Sequence, residues 1–385
     1  MKKFSIVSPL NGTGYGIASI GYLNQLCEHN PEISVIPIGN ISNQAEISPK
    51  VLDCMKAKPD FSLPVFCFWH LFDIPKQIAQ FTGRKVGFTT FELNTLNDKE
   101  QEALKGLDAI GTASAWGARI LGNYFDKKIF VASHALRAIP SQKLPVIYES
   151  DHISIWNKIL APSKIPSNSF LLSTAGKWES RKGHPELIDA GVDLKLDRPI
   201  VLIAFFNNPF IQDNFPYGFI NSKGFYPMYT DSGIKLYKKD NFYLIMMPPT
   251  NTRSELHSAL SKADFFISPS KGEGWNLPLF EMMSLGMKCI TTLYSAHTEY
   301  CSEANVVPVY PDKNAKLVSA MDGHFFDGSS QWLNVTKQGI ASAIKEAYIL
   351  PEVTRKNLSK EAIYSTSSFS WEESAKIIQN LMNQF

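Results

Sequence analysis

The chain carries little charge and almost none in net. Of its 385 residues 19% are charged, and 38 Lys and Arg against 36 Asp and Glu leave +2 at neutral pH. That balance gives no global field of the kind that drives nonspecific nucleic-acid binding. Cysteine is equally scarce. Cys27, Cys54, Cys67, Cys289 and Cys301 are an odd, scattered set, with no Cys-x-x-Cys pair and no His/Cys cluster at ligand spacing. A disulfide framework and a structural zinc site are excluded, and the thiols read as those of a reduced, cytoplasmic protein. No apolar run approaches the ~20 residues of a membrane span. The opening Met-Lys-Lys-Phe-Ser-Ile-Val-Ser8 has the charge of a secretory leader, but its apolar run breaks at Ser8-Pro9 and Asn11-Gly12. It reads instead as a first buried strand. There is no internal repeat.

What is present is an ordinary globular balance, 44% apolar, at a length that fits two domains of roughly 150–200 residues. Short apolar segments rich in β-branched and aromatic residues recur at 4–7, Ser34–Pro37, Pro64–Trp69, Lys85–Thr89, Ala109–Thr112 and Lys128–Val131. Helical stretches such as 17–27, 98–107 and 115–123 lie between them. After a Pro-containing linker at 154–169, a second series follows at 169–174, 200–204, 242–246, 263–268, 288–292 and 306–310. Strands alternating with helices predict parallel, doubly wound sheets.

Four stretches carry candidate chemistry. The first is Glu273-Gly-Trp-Asn-Leu-Pro-Leu-Phe-Glu281, which the pattern places on a strand-to-helix turn. Pro278 suits a first helical turn, and Gly286 a helix end. Glu273 then stands at a strand's carboxyl end and Glu281 inside the helix, where open α/β sheets bind ligands. Free amides at Gly274, Trp275, Asn276 and Leu277 face the same place. By composition alone both glutamates could equally be solvated. The second stretch is Thr174-Ala-Gly-Lys-Trp-Glu-Ser-Arg-Lys-Gly-His-Pro-Glu186, which brings Lys177, Arg181 and Lys182 to a helix start, a charge suited to a diphosphate or simply to solvent. The third, Asn11-Gly-Thr-Gly-Tyr-Gly16, is a glycine-rich turn after the first strand. It lacks the dinucleotide spacing, and Gly14 and Gly16 are its candidates for close ligand approach. The fourth, Val86-Gly-Phe-Thr-Thr-Phe-Glu92, ends a strand with a carboxylate that could orient a hydroxyl. His70 at the end of the preceding strand is a lone histidine. Glu149 and Asp151 have no evident role. A basic run from Arg119 to Lys143 is a solvated face or a phosphate track.

The pattern Ser268-Pro-Ser-x-x-Glu-Gly-x-x-Leu-Pro-x-x-Glu281 resembles the signature of family-4 retaining glycosyltransferases. The 174–190 stretch resembles that family's Gly-Arg-x(3–5)-Lys-Gly element, with Lys177 in place of the arginine. The resemblance implies a GT-B architecture, two Rossmann-like domains facing across a cleft: an acceptor-binding domain over 1–160, a nucleotide-sugar-binding domain over 168–365, and a closing helix over 366–385, preceded by Phe369-Ser-Trp371, that returns to the first. It implies transfer of a sugar from a nucleoside diphosphate donor, a UDP-sugar as first choice, with no cofactor and, lacking an Asp-x-Asp motif, no metal. Lys177 and Lys182, with help from Arg181, would hold the diphosphate. Glu281 would bind the ribose and Glu273 the donor sugar, with front-face attack. Gly14 and Gly16 would lie against the diphosphate and acceptor. Glu92 stands where family members often have histidine, and Asn276 replaces a common glycine. Base contacts would fall around 248–253. The acceptor would be an envelope glycan or lipid-linked saccharide. Similarity of the Thr13–Gly16 and Gly87–Glu92 stretches to enzymes of tailed phages leaves open a hydroxymethylated pyrimidine in DNA, acted on in the host cytoplasm. An inactive GT-B scaffold subunit and, more remotely, a sugar-nucleotide epimerase are the competing readings.

Overall fold

The computed structural model describes residues 2–42, 46–136, 165–207, 216–231, 233–250, 252–322 and 326–385. The first half runs β1 (Ser5–Pro9), α1 (Gly14–His29), β2 (Ser34–Ile38), α2 (Pro49–Lys56), β3 (Val65–Phe68), α3 (Ile74–Gln77), β4 (Lys85–Thr89), α4 (Asp98–Lys105), β5 (Ala109–Thr112), α5 (Ala115–Gly122) and β6 (Lys128–Val131). Its six strands are parallel in the order β2-β1-β3-β4-β5-β6. Every residue of β1 and β3 is buried, because helices cover both faces of a parallel sheet and turn each strand into an unbroken apolar run. The chain leaves β1 to one side for β2 and to the other for β3, which opens a crevice at the strands' carboxyl ends.

The second half runs β7 (Phe170–Lys177), α6 (His184–Asp193), β8 (Ile200–Asn207), α7 (Tyr217–Ser222), β9 (Tyr226–Asp231), β10 (Ile234–Lys239), β11 (Phe242–Met246), α8 (Arg253–Leu260), β12 (Phe265–Ser268), α9 (Leu277–Ser284), β13 (Cys289–Thr291) and β14 (Val307–Pro308). The sheet order is β14-β13-β12-β7-β8-β11-β10-β9, and only β10 runs antiparallel to its neighbours. A hairpin of β15 (Leu317–Met321) and β16 (Asp327–Leu333) follows, then α10 (Lys337–Ile349), α11 (Glu352–Thr366) and α12 (Trp371–Met382).

Two features differ from the sequence expectation. The hairpins β9–β10 and β15–β16 were not foreseen, since their alternating polar residues carry no continuous apolar run. The glycine-rich stretch is not a loop throughout. The Thr13 side chain accepts from the Gly16 amide, and α1 begins at Gly14, so both candidate glycines lie in the first helical turn. Residues 154–164 of the expected linker lie outside the described residues, as do Arg137, Lys143, Glu149 and Asp151.

The chain's last helix lies along its first. The Trp371 indole packs edge-on to Tyr22 at 4.9 Å and covers Gly21, where a Cβ would come within 2.5 Å of the ring. Ser374 donates to the Ser133 carbonyl at 2.7 Å. Ser370 caps α12 by accepting from the Glu373 amide. Ser370→Ala should therefore lower stability by ~1 kcal/mol, a change readable in the urea midpoint. An unaltered midpoint would mean the cap contributes nothing.

Candidate functional site

The site forms where the loop between β12 and α9 meets the loop between β7 and α6. The chain turns into α9 through Asn276, which adopts a left-handed conformation with φ 75°. Asparagine is among the few residues that tolerate this, which is how it can occupy a glycine's place. Its Oδ1 caps the helix through the Leu279 amide, and its Nδ2 donates to Ser268 Oγ at 2.9 Å and faces His297 Nε2 at 2.9 Å. Burial pushes His297 down to about 4, so the ring is neutral. Its Nδ1 then donates to the Thr292 carbonyl at 2.9 Å, leaving Nε2 to accept from Asn276. The whole turn is fixed from behind.

Glu273 is held within that turn. Its amide donates to Ser295 Oγ at 2.8 Å, and its carbonyl accepts from Ala296 N at 3.1 Å. Its carboxylate, only 4% exposed, receives Lys182 Nζ at 2.6 Å and Arg181 Nη1 at 2.8 Å. Burial alone would raise its pKa, but the Arg181 and Lys182 charges outweigh it and hold the carboxyl well below the usual range. Burial lowers the Lys182 ammonium, with Glu273 opposing. Gly183, with φ 70°, lets the basic loop press against Pro269, whose carbonyl oxygen would sit 2.5 Å from a Cβ there.

Arg181 differs from the expected phosphate ligand. Its guanidinium is buried and committed to the Gly272 carbonyl (2.6 Å), Glu273, and Glu179 (2.6 Å). It braces the site from below. Glu179 also faces Lys177 at 3.4 Å. Glu92, from the loop after β4, reaches to 3.5 Å of Arg181 and so joins the two halves. Three carboxylates and three cations interleave, neutral as a set. Lys177 is the one with its side chain 41% exposed, and Lys182 keeps 12%.

Glu281 lies in α9, and its Oε2 receives Arg253 and, at 2.9 Å, His257 Nε2. Burial and Arg253 push His257 down to about 3, so the neutral ring donates through Nε2. Arg253 and His257 stand four residues apart on one face of α8. The sequence reading placed base contacts near Arg253 and passed over His257, although the Arg-x-x-x-His spacing just after the N-capping Thr252 was a usable signal.

The remaining candidates separate. The Trp275 side chain is core, 1% exposed and packed on Phe280, Tyr300 and His134, so only its main chain can serve a ligand. Leu277 is likewise buried. Gly274 is a contact between halves, as a Cβ there would lie 2.4 Å from Thr90 Cγ2. Gly16 serves the turn itself, its Cβ position lying 2.2 Å from the Asn11 carbonyl oxygen, whereas Gly14 faces open space. His70 is exposed and stacks on Phe72. Tyr15, which the sequence reading passed over, bonds Thr89 Oγ1 at 3.2 Å, and burial and Glu92 push its phenol up to about 12. In the basic run, the Lys127 ammonium donates to the carbonyls of Leu104, Lys105 and Leu107 and thereby caps α4. Lys128 bonds Gln384. Among the described residues no cluster of metal-ligating side chains occurs, and no helix is long and apolar enough to cross a membrane.

No protein-family model and no curated protein matches the sequence. Solved structures do match it. A sucrose-phosphate synthase from Thermosynechococcus elongatus aligns over 100% of this chain and 99% of its own, with 14% identity and a TM-score of 0.65. A trehalose-6-phosphate synthase from E. coli, bound with UDP-2-fluoro glucose, aligns over 100% and 99%, at 12% identity and TM-score 0.64. Anabaena HepE in complex with UDP and glucose aligns over 100% of each chain at 11% identity and TM-score 0.62. At these identities the likeness is one of fold, and with two facing Rossmann-like sheets over the whole length the chain has the GT-B fold.

Proposed function

We propose that the chain is a retaining glycosyltransferase that moves a sugar from a nucleoside diphosphate sugar, a UDP-sugar first, to an acceptor hydroxyl. The observation that carries this reading is the buried, ionised Glu273 joined to Lys182 at the mouth of α9, with Glu281 on the same helix. A diphosphate entering there meets the α9 amides, Lys182 and the half-exposed Lys177, while Arg181 keeps Glu273 in place. As the bond from the sugar's anomeric carbon to the diphosphate oxygen breaks, charge grows on that oxygen. Those cations and amides stabilise it. The acceptor oxygen bonds to the anomeric carbon from the same face, and its proton passes to the departing phosphate oxygen. Glu273, acceptor-only while ionised, orients the donor sugar's hydroxyls. Glu281, steadied by Arg253 and His257, takes the ribose hydroxyls. Glu92 orients the incoming hydroxyl. The reaction calls for no metal and no cofactor beyond the donor. The solved structures of like fold that hold UDP, or a UDP-glucose analogue, support the donor class.

For the acceptor, an envelope glycan or lipid-linked saccharide fits better than a hydroxymethylated pyrimidine in DNA, because Lys127 is committed to the carbonyls that end α4 and Lys128 is bonded to Gln384. An inactive scaffold subunit would have no need for so complete a charge network. The deciding experiment is a donor-hydrolysis screen with UDP-, GDP- and ADP-sugars, repeated with Lys182→Ala and Glu281→Ala and with or without hydroxymethylated DNA. Turnover of one donor, reduced ~100-fold or more by each substitution, is the expected result. Stimulation by DNA would shift the acceptor class, and failure of every donor to turn over or bind would favour the scaffold.

A further inference from the structure

The hairpin β15–β16 belongs to the second half of the chain but is docked on the first. Trp332 and Ala320 join the buried cluster of Leu71, Phe91 and Leu93. Thr95 Oγ1 donates to Ser330 Oγ at 3.0 Å, and the Gln331 amide donates to Asn94 Oδ1 at 2.8 Å. At its other end the hairpin is tied to the site, since the Leu333 amide donates to the Lys271 carbonyl at 2.8 Å, two residues before Glu273. Between hairpin and first half lies a cavity of about 160 Å³, whose walls include Phe72, Asn97, Lys99, Glu100, Phe326 and Ser329. At roughly 30 Å³ per water it holds about five.

Its chemistry is specific. One aromatic ring comes from each half: Phe72, 41% exposed, follows β3, and Phe326 precedes β16. Around them stand the Asn97 amide, the hydroxyls of Ser329 and Ser330, and the carboxyl groups of Glu100 and Asp327, with Lys99 as the one cation among the lining residues. Aromatic faces meet C–H surfaces, and amides, hydroxyls and carboxyls meet hydroxyl groups, which is the pairing a sugar ring presents. Burial pushes the Glu100 carboxyl up to about 7, and with Asp327 set against Lys99 the lining has no net positive charge to attract a phosphodiester. The cavity also lies beside the loop that carries Glu92.

We propose that this cavity is an acceptor subsite for an uncharged saccharide unit, formed only when the hairpin of one half is seated on the other. The inference rests on the glycosyltransferase reading for the word acceptor, and its test separates the two. Saturation-transfer NMR would be recorded on the full chain with a panel of methyl hexosides and their disaccharides, and with a short DNA oligonucleotide, for the native protein and for Phe72→Ala and Ser329→Trp. UDP binding would be measured in parallel. The expected result is a saccharide signal that each variant reduces at least fivefold, with UDP affinity within twofold of the native value and no oligonucleotide signal. Equal saccharide signals in native protein and variants, no saccharide signal, or displacement of saccharide by the oligonucleotide would each overturn the subsite. Loss of UDP binding in the native protein would overturn the donor reading while leaving the saccharide arm to judge the cavity.

Discussion

Glu273→Ala is expected to abolish sugar transfer and to remove about 3–5 kcal/mol of folding stability, the loss typical of breaking a buried ion pair from one side. The substitution leaves Arg181 and Lys182 buried, with Glu179 as the principal counter-charge. Arg181 cannot move to solvent, because it is also bonded to the Gly272 carbonyl. Urea denaturation at pH 7 reads the effect directly. Its pH dependence follows from the depressed carboxyl. The unfolded group titrates near ~4.3, so the contribution is complete above that value and is lost as pH falls through the lower folded value. Native protein and variant should therefore differ by a constant amount above pH 5, and the gap should narrow steadily as pH falls below 4, closing only at the much lower folded value. A gap of the same size at pH 3 as at pH 6 would show that ionisation of Glu273 is not what holds the cluster. Removing a cation together with the carboxylate, as Arg181→Met with Glu273→Leu, should restore part of the loss, since replacing a buried pair by apolar groups of similar volume is often neutral.

That network also marks how far the sequence could be read. Lys85–Thr89, Ala109–Thr112, Lys128–Val131 and Phe242–Met246 match the observed strands end to end, because parallel strands covered on both faces are short apolar runs with turn residues on either side. Glu273 and Lys182 were legible from two separate resembled stretches, which the fold brings together at 2.6 Å, and Glu281 was legible as the second glutamate of the first of them. The role of Arg181 was not. A sequence shows that an arginine is present but not that its guanidinium turns inward, and burial of a charge is decided by partners far along the chain, here Gly272 and Glu273. The hairpin β15–β16 was hidden for a related reason. Its residues alternate exposed and buried, Ser329 outward, Ser330 and Trp332 inward, and the buried set finds its core in the opposite half of the molecule. Arg253 and His257 needed Glu281 in view before their four-residue spacing acquired meaning.

Closure of the two halves depends on the absence of two side chains. A Cβ at Gly274 would come within 2.4 Å of Thr90 Cγ2 and 2.8 Å of the Phe91 amide, and one at Gly272 within 2.7 Å of the Glu92 carbonyl oxygen. Thr90 to Glu92 follow directly from β4, whose last four residues are buried, so that backbone cannot withdraw. Gly274→Val must therefore hold the halves apart by the breadth of its side chain. Glu92 would lose its approach to Arg181, and an acceptor seated on the first half would stand too far from the donor's anomeric carbon. Misplacement by 1 Å can cost ~100-fold in rate, so transfer should fall by at least that factor. The donor-binding groups Lys177, Lys182 and Glu281 all belong to the second half, so UDP affinity should stay within about threefold, and small-angle scattering should report a larger radius of gyration. Gly106→Ala, where a Cβ meets nothing within 4 Å, is the matched control and should leave both quantities unchanged. If Gly274→Val transferred sugar at the native rate, the contact between the α9 turn and the β4 loop would be incidental. If it instead lost UDP and transfer together, the glycine would serve the donor turn itself rather than the closure of the cleft.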